Sequence, residues 1–137
     1  MSARSHFVYD RFLSLDGLAL ASYMEPLVND PTAIVDKAML ERVLSQLSTY
    51  DEDHLVYGLA LGAAHSPQTF AQLLPQYLAH EEASVCCTAV NALNSLPAMY
   101  ITQDLCESAQ STVSLYPVRD FVREVPETLR KRMLNHA

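Results

Sequence analysis

Ten consecutive apolar or small residues, Leu55-Val56-Tyr57-Gly58-Leu59-Ala60-Leu61-Gly62-Ala63-Ala64, constrain this chain more than any other feature. A helix built from them is apolar on every face, and such a helix is stable in water only when other elements surround it. The run is half of the ~20 residues needed to cross a bilayer, so protein and not lipid is expected around it. Gly58 and Gly62 lie four apart on one face. Each costs about 1 kcal/mol of helix propensity against Ala, which the close approach of a neighbouring helix offsets.

The flanking segments supply that neighbourhood. Phe70, Leu73, Leu74, Tyr77 and Leu78 recur at helical spacing behind Ser66-Pro67, a cap followed by a first-turn proline. Val85, Ala89, Ala92, Leu93 and Leu96 predict a helix from about Ala83 to Leu96, where Pro97 stops it. Upstream, Asp30-Pro31 and the stripe Val35, Met39, Leu40, Val43, Leu44, Leu47 predict one long helix from Pro31 to Thr49. The first 30 residues read as one or two helices broken near Asp16-Gly17. The last 40 are divided by Pro97, Pro117 and Pro126 into three short helical segments. No convincing strand or hairpin turn is present, so an all-α domain is expected. With 137 residues, half of them hydrophobic, such a chain needs no disulfide or metal to hold a core.

The two central helix pairs, 31–64 and 66–96, are alike. Ala60-Leu61-Gly62 precedes Ala92-Leu93-Asn94 by 32 positions, and Leu40 and Leu44 precede Leu74 and Leu78 by 34. A period of this length marks a helical solenoid. Leu73-Leu74-Pro75-Gln76-Tyr77-Leu78, followed by Val85, Ala89, Ala92-Leu93 and Leu96, resembles a HEAT-like repeat, with Pro75 as its kinking proline. The resemblance implies an α-α superhelix of about three to four hairpins. Cys86 stands where that family usually has a basic residue, so its inter-repeat ladder of ion pairs is not expected.

Charge is unevenly placed. From Val43 to Val118 the chain carries seven acids and no Lys or Arg, and this segment alone accounts for the formal net charge of −7. Five of the seven fall in two turns that the repeat makes equivalent, Asp51-Glu52-Asp53 and Glu81-Glu82. Packed helices lie about 8–10 Å apart, so the turns are expected to stack into one acidic edge. At that spacing, close to a Debye length, the two clusters act on a partner partly as one field. Tyr50, His54 and His80 flank the turns and complete the candidate partner-binding set: Tyr50, Asp51, Glu52, Asp53, His54, His80, Glu81 and Glu82.

Direct nucleic-acid binding is disfavoured, because it needs a basic stripe and the one basic cluster is Arg130-Lys131-Arg132. Enzymatic chemistry is not expected. Cys86 and Cys87 fall inside an apolar helix, Cys106 has no basic neighbour in sequence, and no phosphate-cradling loop or metal-spaced cysteine motif is present. His80-Glu81 is similar to the His-Glu pairs of HEAT-like di-iron hydroxylases, but one pair does not make such a site, so no metal or cofactor is expected. The Met1–Asp10 stretch has no apolar run of signal-peptide length, and three cysteines make a poor disulfide set; a reducing, cytoplasmic setting is expected. Small, acidic and HEAT-like, the chain resembles a bacterial immunity protein. That resemblance implies a basic partner, a cognate cytosol-acting toxin such as a nuclease. The alternatives are an adaptor holding a peptide or helix in a concave groove and, behind it, a metal-dependent enzyme.

Overall fold

The computed structural model describes residues 6–30, 32–80, 82–115 and 120–136, and among these the regular structure is helical, without a strand. Two helices, α1 (Tyr9–Ser14) and α2 (Gly17–Asn29), form the N-terminal part. Gly17 sits at φ 51°, the left-handed region that disfavours a Cβ, which places the break at Asp16-Gly17. Two successive pairs follow, α3 (Lys37–Ser45) with α4 (Glu52–His65) and α5 (Pro67–Leu78) with α6 (Ala83–Ala92). The chain then runs through α7 (Gln103–Leu115), the short α8 (Asp120–Arg123) and α9 (Val125–His136).

The helix expected over 31–49 is shorter than its stripe. Asp30 Oδ1 accepts from the Thr32 backbone N–H at 2.9 Å and from the Thr32 hydroxyl at 2.7 Å, a local turn that competes with helix initiation. Ile34 instead forms an isolated parallel bridge with His6, and the Phe7 N–H donates to its carbonyl at 2.9 Å. The helix begins at Lys37, where the Asp36 carboxylate accepts from the Ala38 and Met39 N–H groups. Its far end tightens into a 3₁₀ turn over Leu47–Thr49. The helix expected to reach Leu96 likewise leaves the α conformation at Ala92 and continues as a 3₁₀ turn, Leu93–Ser95.

The apolar run occupies the centre. α4 packs against α2, α3, α5 and α6, with Leu59, Leu61 and Ala63 fully buried. Its glycines meet neighbours at close range. A Cβ on Gly58 would stand 2.8 Å from Leu47 Cδ2 and 3.3 Å from Val43 Cγ1, and one on Gly62 would stand 2.7 Å from Leu44 Cδ2. Such separations are below van der Waals contact, so absent side chains let the 37–49 segment lie against α4. Pro75 lies inside α5, and Cys86, Cys87 and Cys106 are all free thiols.

Long-range side chains satisfy carbonyls at helix ends. The final carbonyls of a helix have no partner within it and need a donor from elsewhere. His54 Nε2 meets the Phe12 carbonyl of α1 at 3.1 Å, and His65 Nε2 donates to the Leu27 carbonyl of α2 at 2.7 Å. Arg132 Nη1 and Nη2 donate to the Asn94 and Leu96 carbonyls at 3.1 and 2.6 Å, past the end of α6. α4 is thus tied to the N-terminal helices at both of its ends, and α9 to the end of the second pair.

Candidate functional site

The first acidic turn is built around the start of α4. Asp51 is its N-cap, and Oδ1 accepts from the His54 backbone N–H at 2.9 Å while facing His54 Nδ1 at 2.8 Å. These bonds with His54, the backbone one first, hold the Asp51 carboxyl below its ordinary pKa. Glu52 and Asp53 follow in the first turn, exposed, where carboxylates also complement the helix dipole. No Lys or Arg pairs with either among the described residues.

His54 is turned inward and is only 8% exposed. Its two ring nitrogens face oxygens on opposite sides, Asp51 Oδ1 and the Phe12 carbonyl, which fixes the ring between the turn and α1. Its ring stands T-shaped to the Phe12 ring, at 82° with centroids 5.1 Å apart. His54 therefore positions the turn from within and leaves little of its own surface exposed. Tyr50 is half-buried. Its ring stands edge-on to Phe12 at 5.6 Å, and its hydroxyl is buried without a hydrogen bond of good geometry. Burial first, then the neighbouring Tyr9 hydroxyl, raises the Tyr50 pKa, while Arg42 opposes the rise. Arg42, the last base before the base-free stretch, stacks over the Tyr9 ring at 4.3 Å.

The second turn joins α5 to α6. The Glu82 backbone N–H donates to His80 Nδ1 at 3.1 Å, and the Cys86 thiol donates to the His80 carbonyl at 2.9 Å. His80 and Glu82 are exposed; Glu81 lies outside the described residues. Between the turns runs a groove of about 430 Å³ walled by Ser48 and Tyr50 from the first and by Gln76, Tyr77, His80 and Glu82 from the second. Leu47, Leu55 and Val85 also line it, and no Lys or Arg contributes among the described residues. The structure thus brings Tyr50, His80 and Glu82 onto one surface, with Asp51, Glu52 and Asp53 following directly from Tyr50.

Gln76 and Tyr77 belong to the groove but were not among the residues singled out from sequence. Tyr77 falls on the apolar stripe of α5 and reads as core, and it is indeed buried; its place in sequence near the acidic turns was the one signal that its edge lines the groove. Burial raises the pKa of Tyr77, and burial together with the nearby Glu25 and Asp53 carboxylates raises that of Tyr57.

The cysteines lie in or against the core. Burial raises the Cys106 thiol despite Arg130, which α9 brings near it, and burial with the adjacent Cys86 raises Cys87. No three His, Cys, Asp or Glu side chains come together for a metal among the described residues, and no described helix is long and apolar enough to cross a membrane. Comparison of the chain with protein-family models, with curated proteins and with solved structures finds no match in any of the three.

Proposed function

We propose that this protein is a binding module that neutralises a basic partner protein by laying its acidic edge across it. The observation that supports the reading is the groove between the two turns, which carries Glu82 on its wall and Asp51, Glu52 and Asp53 beside it, with no Lys or Arg among the described residues that line it. Carboxylates arranged this way complement a lysine- and arginine-rich cleft and speed encounter with it. The finer form of the proposal is a HEAT-like immunity protein. Its partner is then a cognate toxin, such as a nuclease acting in the cytosol, whose substrate cleft the edge occupies and closes. Asp51 has a double part in this, fixing the turn through His54 and adding charge; Glu52, Asp53, Glu81 and Glu82 supply charge, with Tyr50 and His80 at the groove.

The test is affinity purification from native lysate at low salt, with mass spectrometry of retained chains and a repeat wash at high salt. A single basic protein released by salt is expected. Reversal of Glu81 and Glu82 to Lys should weaken its binding on the order of 10- to 100-fold, the range expected for loss of close interfacial charge pairs. An unchanged affinity places the interface elsewhere and refutes the proposal.

A further inference from the structure

The histidine ring bonds among the described residues are of two kinds. His54 and His65 turn ring nitrogens toward oxygens, the Asp51 carboxylate and the Phe12 and Leu27 carbonyls, and such oxygens accept from a ring N–H. His80 does the opposite. Its Nδ1 receives the Glu82 backbone N–H at 3.1 Å, and a backbone N–H only donates, so Nδ1 carries its lone pair and no proton. A ring proton is compatible with bonds of the first kind and destroys the second.

The bond sits at a joint between two elements. Glu82 is the N-cap of α6, its side chain makes no capping bond, and the His80 ring is what meets its N–H. The His80 backbone is anchored independently. Its N–H donates to the Tyr77 carbonyl at 3.4 Å, and its carbonyl accepts from the Cys86 thiol at 2.9 Å. The ring can therefore let go while the backbone keeps its place, which confines the change to the Glu82 end of the turn.

The surroundings give the proton a second effect. His80 shares the groove with Glu82 from α6, Tyr77 from α5 and Tyr50 from the first turn, with Asp51, Glu52 and Asp53 next in the chain and no Lys or Arg among the described lining residues. Imidazole is the one of these groups whose ordinary chemistry changes charge between about pH 5 and 8. Burial moves both tyrosines further above that window, and the His54 bonds move Asp51 further below it. A proton on His80 thus places a positive charge on an edge that otherwise carries carboxylates.

We propose that His80 is a pH-sensitive latch on the acidic edge: with Nδ1 bare it holds the Glu82 N–H at the start of α6, and once protonated it releases that bond and offsets one carboxylate, so the edge binds a basic protein more weakly in acid. The effect on binding rests on the acidic-edge reading, whereas the latch itself does not.

The experiment follows the isotopically labelled full chain by NMR from about pH 8 to about pH 5.5. At the upper end the His80 ring is expected to have a bare Nδ1 and a protonated Nε2. As the ring takes up its proton, the Glu82 amide should shift with the same midpoint and, after correction for the intrinsic pH dependence of exchange, lose about threefold or more in protection. His80→Asn, whose Oδ1 stands in for Nδ1 and does not titrate, should hold the Glu82 amide constant. Binding is read with a lysine decapeptide, whose own side chains stay charged over this range. Its affinity for the wild-type chain should fall about threefold between the two ends, and His80→Asn should remove most of that fall. A proton on Nδ1 at the upper end, a Glu82 midpoint that differs from the ring's, or an unchanged transition in His80→Asn overturns the latch. An affinity that stays equally pH-dependent in His80→Asn overturns its effect on binding. A decapeptide that binds the wild-type chain and Glu82→Lys alike refutes the acidic-edge reading instead, on which the ring and amide titrations do not depend, so the two failures are distinguishable.

Discussion

At the scale of single residues, Asp51 and His54 show how one member of a candidate contact pair turns inward while the other stays exposed. Spacing alone places a histidine three positions after an acid at the start of a helix, a pattern equally fit for a surface site. What turns His54 inward is the Phe12 carbonyl, 42 positions earlier in the chain, together with the Phe12 ring. Replacing His54 by Ala should lower stability by about 2–3 kcal/mol in urea unfolding, since it leaves a void and an unmet helix-end carbonyl. Asp51 adds a pH dependence of known sign. Its folded-state pKa lies below the ordinary 3.8, so its contribution is complete above that value and is withdrawn as pH falls through the folded one. Wild-type stability should therefore drop more steeply below about pH 4 than that of Asp51→Asn, followed by thermal melts across pH 2–6. Equal slopes would mean that the His54 bonds are not maintained in solution.

At the scale of elements, the two glycines of α4 and the arginine of α9 report on different packings. Gly58 faces Leu47 and the β-branched Val43, whereas Gly62 faces one terminal methyl of Leu44, a side chain that can rotate away. Gly58→Ala should cost about 1–2 kcal/mol net, while Gly62→Ala should be close to neutral, the gain of about 1 kcal/mol in helix propensity offsetting the shift of Leu44. Chemical denaturation of the two variants settles the order, and a more damaging Gly62→Ala would mean that Leu44 is immobile. Arg132 docks α9 through a fork on two carbonyls. Arg132→Ala should destabilise by about 1–2 kcal/mol and Arg132→Lys should recover little of it, because an ammonium cannot span both acceptors in one plane. Full rescue by Lys would show that the aliphatic stem, and not the fork, holds the helix.

At the scale of the whole molecule, the charge segregation carries a kinetic expectation. A surface with clustered carboxylates accelerates encounter with a basic partner, so the association rate should fall with added salt while dissociation changes less. A salt-independent association rate would remove the electrostatic argument for the acidic edge. The all-α class, the central placement of the 55–64 run, the glycine face, the break near Asp16-Gly17 and the helix start at Pro67 were legible without coordinates. Each rests on local physics: period, side-chain size, a missing Cβ or a fixed proline φ. Less local features were not legible. The delayed start of α3 depends on His6 and Phe7 meeting Ile34, and the inward turn of His54 depends on Phe12. The groove between the two turns arises only when α4, α5 and α6 come together. Sequence by itself determined which residues must be hidden and where the charge lies, because hydrophobicity and formal charge belong to residues. Tertiary structure decided which polar atoms meet and which side chains share a groove, because hydrogen bonds and grooves are made by positions distant in the chain.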